Sequence, residues 1–179
     1  MTDTARQRRA QQVEAKYKKD LQILRQAKEN DLQALDERYK VLKNSYRQER
    51  INIKEEYSMK RVKNTANIDR LKDQRTILKQ RLQGMTDNEE IYVAENEFAR
   101  ITAELENLRT SRAKLDRQEQ DALDDAETRF EARLKDGQEE RRAINKHYIN
   151  EADKLHETYL QHVEENRQLR IQEEGGGAV

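Results

Sequence analysis

The stretch Gln83-Gly84-Met85-Thr86-Asp87-Asn88-Glu89-Glu90, near the middle of a 179-residue chain, decides the fold. Gly84 is the residue type that most often ends a helix in the left-handed conformation. Thr86 followed by Glu89 matches a capping box, in which two side chains accept hydrogen bonds from free backbone N–H groups at a helix start. A helix end followed at once by a helix start predicts a tight helical hairpin. One unbroken helix with a tolerated glycine is the alternative.

The composition of the chain favours long helices. It contains no Pro and no Cys, and three of its five Gly residues form the run 175–177. Charged residues make up 40% of the chain, and 36 basic residues balance 36 acidic ones. The absence of Cys excludes disulfide scaffolds and Cys-based metal sites, and no apolar run reaches the ~18 residues of a membrane span. No signal-peptide core follows Met1, so we expect a protein of the cytoplasm or of a large assembly.

Apolar residues recur at helical spacing on both sides of the turn. Steps of eleven residues in the first half meet only apolar or aromatic side chains, namely Val13, Leu24, Leu35, Tyr46, Tyr57 and Ile68. Such a repeat gives a nearly straight or weakly right-handed coil. Heptad spacing flanks the turn, and steps of eleven return in the second half, as in Ile149, Leu160 and Ile171. Folding back at the turn places like periodicity beside like.

These patterns predict an all-α fold, a long antiparallel two-helix coiled-coil hairpin with mixed hendecad and heptad repeats that is suited to a larger helical bundle. The expected organisation is an N-terminal tail (1–4), a first helix (5–83), a turn (84–88), a second helix (89–173) and a flexible Gly-rich tail (174–179). The predicted seam between the helices comprises Val13, Leu24, Leu35, Tyr46, Tyr57, Ile68, Leu82, Ile91, Leu105, Leu115, Leu134, Tyr148, Leu155 and Tyr159.

The charge of the chain is divided between its two halves. Residues 1–83 hold 22 basic and 12 acidic residues, whereas residues 84–179 hold 14 and 24. A hairpin sets these opposite charges side by side, and a parallel dimer of unbroken helices sets like charges together. An antiparallel dimer of unbroken helices satisfies the charges equally well. Each exposed pair contributes only ~0.2–1 kcal/mol, so this asymmetry selects orientation more than it adds stability.

Signals of catalytic or metal chemistry are weak. The chain has no Gly-rich phosphate loop and no Ser-containing nucleophile elbow. Its three histidines, His147, His156 and His162, are nine and six residues apart and therefore do not share one helical face. A two-helix fold also offers no concave pocket that excludes water. We therefore expect a protein that is not an enzyme, with no catalytic residues, cofactor or metal.

Two groups of residues are candidates for partner binding. Apolar side chains flank the predicted seam, namely Ile23, Val41, Ile149, Leu160 and Ile171, and a basic cluster near the N-terminus comprises Arg6, Arg8 and Arg9. The former widen the apolar face toward that of a larger bundle, which predicts a protein partner or a homo-oligomer. The latter suit phosphate groups, so nucleic acid is a further candidate partner.

The function expected from these features is that of a non-enzymatic structural or interaction protein. The chain would serve as a coiled-coil rod or spacer and as an assembly component of a larger complex. One alternative is a stalk-like accessory of a secretion or rotary ATPase. The other is a nucleic-acid-associated or virion-internal protein that uses the basic first helix.

Overall fold

The computed structural model describes residues 3–175 and folds them into two long α-helices. Helix α1 spans Asp3–Leu82 and has 80 residues, and helix α2 spans Asn88–Gly175 and has 88. No strand occurs among these residues. Tyr17 contacts Tyr159, whereas the later Tyr39 contacts the earlier Leu134, so the helices pack antiparallel. The predicted all-α helical hairpin is confirmed.

The ends of the helices differ slightly from the sequence-based bounds. Helix α1 starts two residues before the predicted position 5 and ends one residue before position 83. Helix α2 starts one residue early and continues through 174–175, the first two positions of the predicted flexible tail. The remainder of that tail, 176–179, and positions 1–2 lie outside the described residues.

The N-terminus of α2 is capped by Asp87, not by Thr86. The Asp87 Oδ1 atom accepts hydrogen bonds from the backbone N–H groups of Glu89 at 2.8 Å and Glu90 at 3.1 Å. The backbone oxygen of Asp87 accepts the bond from Ile91 that opens the helix, at 3.0 Å. The capping box predicted from Thr86 and Glu89 is therefore wrong. The cap lies one residue later because the aspartate carboxylate satisfies two of the free N–H groups of the first turn.

The C-terminus of α1 closes without a left-handed residue. The Gly84 N–H donates to the Arg81 carbonyl at 3.0 Å, and the Met85 N–H donates to the Leu82 carbonyl at 3.4 Å. No glycine of the described segment has a positive φ angle, so the left-handed conformation predicted for Gly84 is wrong. Bonds between residues three apart tighten the last turn and satisfy its carbonyl groups.

The described residues form two compact units. The turn unit comprises Leu42–Glu131, and the terminal unit comprises residues 3–41 and 132–175. In the turn unit, Leu71, Ile101 and Leu105 form an apolar cluster in which Leu105 is fully buried. Burial of such a side chain stabilises a fold by roughly 1.5–3 kcal/mol. The rings of Tyr46 and Phe130 stack across the helices with their centroids 4.3 Å apart.

The terminal unit is joined by aromatic, apolar and hydrogen-bonding contacts between the two helices. The rings of Tyr17 and Tyr159 stack with centroids 4.6 Å apart. Leu35 is buried, and the Tyr39 hydroxyl donates a hydrogen bond to the Leu134 carbonyl at 3.3 Å. These contacts recur along the unit and hold α1 against α2.

The predicted seam positions all lie away from full exposure. Leu35 and Leu105 are buried. The other twelve are half-buried, namely Val13, Leu24, Tyr46, Tyr57, Ile68, Leu82, Ile91, Leu115, Leu134, Tyr148, Leu155 and Tyr159. Asn64 is the one buried polar residue among those described. Its amide Nδ2 donates to the Leu108 carbonyl across the seam at 3.2 Å, and its Oδ1 has no hydrogen-bond partner.

The charge division between the helices is concentrated in the turn unit. Residues 42–82 carry 12 basic and five acidic residues, whereas residues 88–131 carry six and 13. In the terminal unit, residues 3–41 carry ten and seven, and residues 132–175 carry eight and ten. Charge therefore favours the antiparallel arrangement strongly within the turn unit and only weakly within the terminal unit.

Candidate interaction surface

A stripe of apolar side chains runs along the solvent side of α2 in the terminal unit. Ile149, Leu160 and Ile171 are 58%, 51% and 57% exposed. Successive members are eleven residues apart, which is three helical turns, so the side chains lie on one face within about 20° per step. We call these three residues the α2 stripe. A soluble helix normally turns such a face toward a packing partner.

The helix segment behind the α2 stripe is anchored firmly to α1. The Tyr148 hydroxyl donates to Asp31 Oδ2 at 2.7 Å, and this hydrogen bond to a carboxylate raises the pKa of Tyr148 above its usual value. Eleven residues later, Tyr159 stacks on Tyr17. His156 lies 3.4 Å from the Tyr17 hydroxyl, measured to Nδ1. These contacts fix the rotation of α2 about its axis, and so fix the direction in which the stripe points.

A second pair of exposed apolar residues lies on α1. Ile23 and Val41 are 18 residues apart, five full turns, and both are more than half exposed. Ile23 follows Asp20 by three residues, and Asp20 lines one groove of the terminal unit together with Thr158 and His162. Leu160 lies two residues from each of these α2 residues and so faces the opposite side. The two apolar surfaces therefore lie on opposite sides of the terminal unit.

The basic cluster near the N-terminus contributes to a cleft. Arg6 Nη2 donates to Glu173 Oε2 at 2.5 Å, which ties the start of α1 to the end of α2. The cleft, of about 530 Å³, is lined by basic side chains from both helices, namely Arg6, Arg9, Arg167 and Arg170. Arg8 is exposed outside it. Of the three predicted arginines, Arg6 is therefore held by an ion pair, and Arg9 lines the cleft beside it.

The turn unit contains a basic groove that combines Lys60 and Lys63 of α1, the helix that the sequence predicted to be basic, with Lys114 of α2, which the sequence did not indicate. Lys60, Lys63 and Lys114 line a groove of about 390 Å³ together with Asn64, Asn67, Ser111, Leu115 and Gln118, and none of these lining residues is acidic. Lys60 is paired with Glu56 at 2.5 Å. Lys63 and Lys114 are 51 positions apart and belong to two helix segments that meet only after folding. Local sequence patterns therefore do not show that they share a groove.

Further apolar residues are exposed outside the groups predicted from the sequence. They are Ile51, Met59, Val62, Ile77, Tyr92 and Val93 in the turn unit and Val163 and Leu169 in the terminal unit. A step of eleven from Ile51 reaches Val62, so the same spacing rule would have found this pair. Met59 and Ile77 continue the 18-residue spacing of Ile23 and Val41, and the remaining four show no shared repeat.

The described residues show neither a group of side chains suited to a metal ion nor a helix suited to a membrane. Within residues 3–175, no three His, Asp or Glu side chains converge in a way that could hold a metal ion. Neither helix contains, over the same residues, an apolar segment long enough to span a membrane. In comparisons with protein-family models, curated proteins and solved structures, nothing matched this chain.

Proposed function

We propose that the chain is a non-enzymatic structural protein, a coiled-coil rod or spacer that serves as an assembly component of a larger complex. The observation that carries this proposal is the exposure of large apolar side chains on helices whose seam is already filled. Ile23, Val41, Ile149, Leu160 and Ile171 are each more than half exposed. Apolar residues that recur on one helix face and remain open to solvent mark binding surfaces for other helices.

The long helices supply the second part of the argument. Each has at least 80 residues, and the rise of ~1.5 Å per residue gives each a contour length on the order of 120 Å. Partners bound at different positions along one unit are kept apart by the helices between them. The contribution to a complex is then geometric, because each unit holds its own binding surfaces at fixed spacing.

The experiment replaces the native copy of the protein, in the cells that produce it, with a tagged version. We expect the wild-type chain to elute from a gentle extract as a complex with other proteins. A variant with Ile23→Lys, Val41→Lys, Leu160→Lys and Ile171→Lys should elute alone. The matched control carries Gln33→Lys and Gln138→Lys at exposed polar sites. Elution of the wild-type chain without any other protein contradicts the proposal.

Nucleic-acid binding is a second candidate function, which the basic groove of the turn unit favours. Lys63 and Lys114 form no ion pair within residues 3–175, and no carboxylate lines their groove. Phosphate contacts of this kind give binding that weakens steeply with salt. We expect Lys63→Ala with Lys114→Ala to abolish a low-salt shift of duplex DNA or RNA. Absence of any shift for the wild-type chain at low salt rejects this candidate.

A further inference from the structure

The α2 stripe is palindromic in the chain. Ile149 and Ile171 each lie eleven residues from Leu160, and all three side chains are exposed on one face. Two copies of α2 laid antiparallel about a twofold axis at Leu160 therefore place Leu160 opposite Leu160 of the second copy. The same axis places Ile149 opposite Ile171 at both ends. The stripe is complementary to itself, as a twofold interface requires.

The charged residues beside the stripe obey the same symmetry. Asp153 and Arg167 are each seven residues from Leu160, on the stripe's side of α2, so a twofold pairing brings Asp153 of one copy to Arg167 of the other, twice. Asp153 forms no ion pair within residues 3–175, and Arg167 reaches only Glu164, at 3.5 Å on the exposed surface. Both are therefore open to a new partner.

No like charges oppose each other in this pairing. Over residues 147–173, the axis also brings His156 near Glu164, about 40° around the helix from the stripe, while His147 and Glu173 lie about 140° from it and do not face the second copy. A parallel pairing of the same stripe would instead set Asp153 beside Asp153 and Arg167 beside Arg167. Like charges placed directly opposite are unfavourable, so charge selects the antiparallel arrangement.

The apolar surface of α1 fits the α2 stripe less well. Ile23 and Val41 are 18 residues apart, whereas the stripe repeats every eleven, and the residue eleven after Ile23 is the small Ala34. Side chains that differ in spacing cannot interdigitate over several turns. The best match to the α2 stripe in this chain is thus a second α2 stripe.

We propose that the chain binds a second copy of itself through α2, antiparallel and twofold-symmetric about Leu160. This inference rests on the assembly role proposed above and names one partner in it. Three apolar side chains from each copy make a small interface, so the dimer is weak and forms in the micromolar range or above.

Introduced cysteines test the geometry directly, since the chain has none of its own. Leu160→Cys should oxidise to a covalent dimer, because the two sulfur atoms face each other across the axis. Ile149→Cys alone should not, because its two copies are 22 residues or ~33 Å apart along the helix. A mixture of Ile149→Cys and Ile171→Cys chains should cross-link. Ile23→Cys, on the other side of the unit, is the matched control and should not cross-link.

Sedimentation equilibrium of the purified chain tests the energetics over roughly 5–500 µM. Asp153→Arg or Arg167→Asp alone should weaken dimerisation roughly tenfold, and the two together should restore it. Leu160→Asp should abolish dimerisation, whereas Gln161→Asp should not, and circular dichroism verifies that both remain helical.

Three outcomes overturn the proposal: a monomer throughout that range, cross-linking of Ile149→Cys alone, or no effect of Leu160→Asp. Each leaves the assembly role standing if the native complex with other proteins persists. A dimer of the purified chain without any native complex would support the pairing through α2 and contradict the assembly role.

Discussion

Gly137 on α2 lies directly against the ring of Tyr39 on α1. A Cβ atom at position 137 would lie 2.7 Å from Tyr39 Cε1 and closer still to Cζ and Oη. Gly137 is buried, and the Tyr39 hydroxyl reaches past it to the Leu134 carbonyl. The glycine is required here by the close approach of a tyrosine ring, although a glycine inside a helix costs about 1 kcal/mol relative to alanine.

Gly137→Ala should therefore destabilise the protein. Displacing the Tyr39 ring costs about 1–3 kcal/mol, which exceeds or cancels the gain in helix propensity. In a Tyr39→Ala background the same substitution should stabilise by about 1 kcal/mol, because the space is empty. Urea unfolding of the four proteins of this double-mutant cycle measures both effects. Stabilisation by Gly137→Ala in the wild-type background would refute the contact.

Gly84→Ala should have the opposite effect. Gly84 has no positive φ angle, and a Cβ there would meet only the Arg81 oxygen, at an ordinary 3.8 Å. Alanine leaves the unfolded chain fewer conformations than glycine does, which stabilises the folded protein by about 0.4–1 kcal/mol. Urea unfolding measures this effect. A loss of more than 1 kcal/mol would indicate a left-handed residue at this position after all.

Asp87→Ala should weaken the start of α2. Loss of a side chain that accepts two backbone N–H bonds at a helix N-terminus costs about 0.5–2 kcal/mol. Thr86→Ala, one residue earlier, should cost less than about 0.5 kcal/mol because that side chain does not cap the helix. Thermal unfolding of the two variants gives their order. A larger loss of stability for Thr86→Ala than for Asp87→Ala would show that Thr86 caps the helix, as the capping box requires.

The sequence predicted the long helices and their apolar seam because that evidence is periodic and redundant. Val13, Leu35 and Ile68 belong to one repeat, and a single exception would not have changed the conclusion. The choice of cap could not be made in the same way, because Thr86, Asp87 and Asn88 are three adjacent residues that all favour the N-cap position. Only the hydrogen bonds distinguish them.

The close contacts could not be foreseen because they depend on residues distant in the chain. The role of Gly137 depends on Tyr39, 98 positions away, and no local pattern reveals it. The exposed stripe was easier to find, since Ile149, Leu160 and Ile171 follow a rule already visible in the seam. The sequence pattern shows that the stripe is exposed but not what covers it. The symmetric arrangement of the stripe and its flanking charges is the feature that suggests a second copy as the partner.

The hydrogen bond from Tyr148 to Asp31 makes stability sensitive to alkaline pH. This bond raises the pKa of Tyr148 in the folded protein above the value in the unfolded chain. Its contribution is then complete below about pH 10 and is lost as the pH rises through the folded pKa. The stability difference between the wild type and Tyr148→Phe should therefore be constant near neutrality and shrink above about pH 10. Tyr92→Phe, at an exposed ring, is the control. A difference independent of pH would contradict the assignment.

Asn64 combines a cross-helix hydrogen bond with a buried oxygen that lacks a partner. Its Nδ2 donates to the Leu108 carbonyl. Its Oδ1 is buried without a hydrogen-bond partner and therefore carries an uncompensated desolvation cost. Leu108 retains its own helical hydrogen bond when Asn64 is removed, and the adjacent groove gives a larger side chain room. Asn64→Leu should therefore stabilise the hairpin by about 1 kcal/mol or more in urea unfolding.

The stabilised variant should also hold its register less strictly, since a polar residue on a coiled-coil seam selects one alignment at a cost in stability. Spin labels attached at Met59→Cys and Thr110→Cys, both exposed and within the turn unit, report this. Their distance distribution should broaden in Asn64→Leu and stay narrow in Asn67→Leu, whose residue lines the same groove outside the buried seam. If Asn64→Leu instead loses stability, the bond to Leu108 outweighs the cost of the buried oxygen, and Asn64 stabilises the fold as well as aligning it.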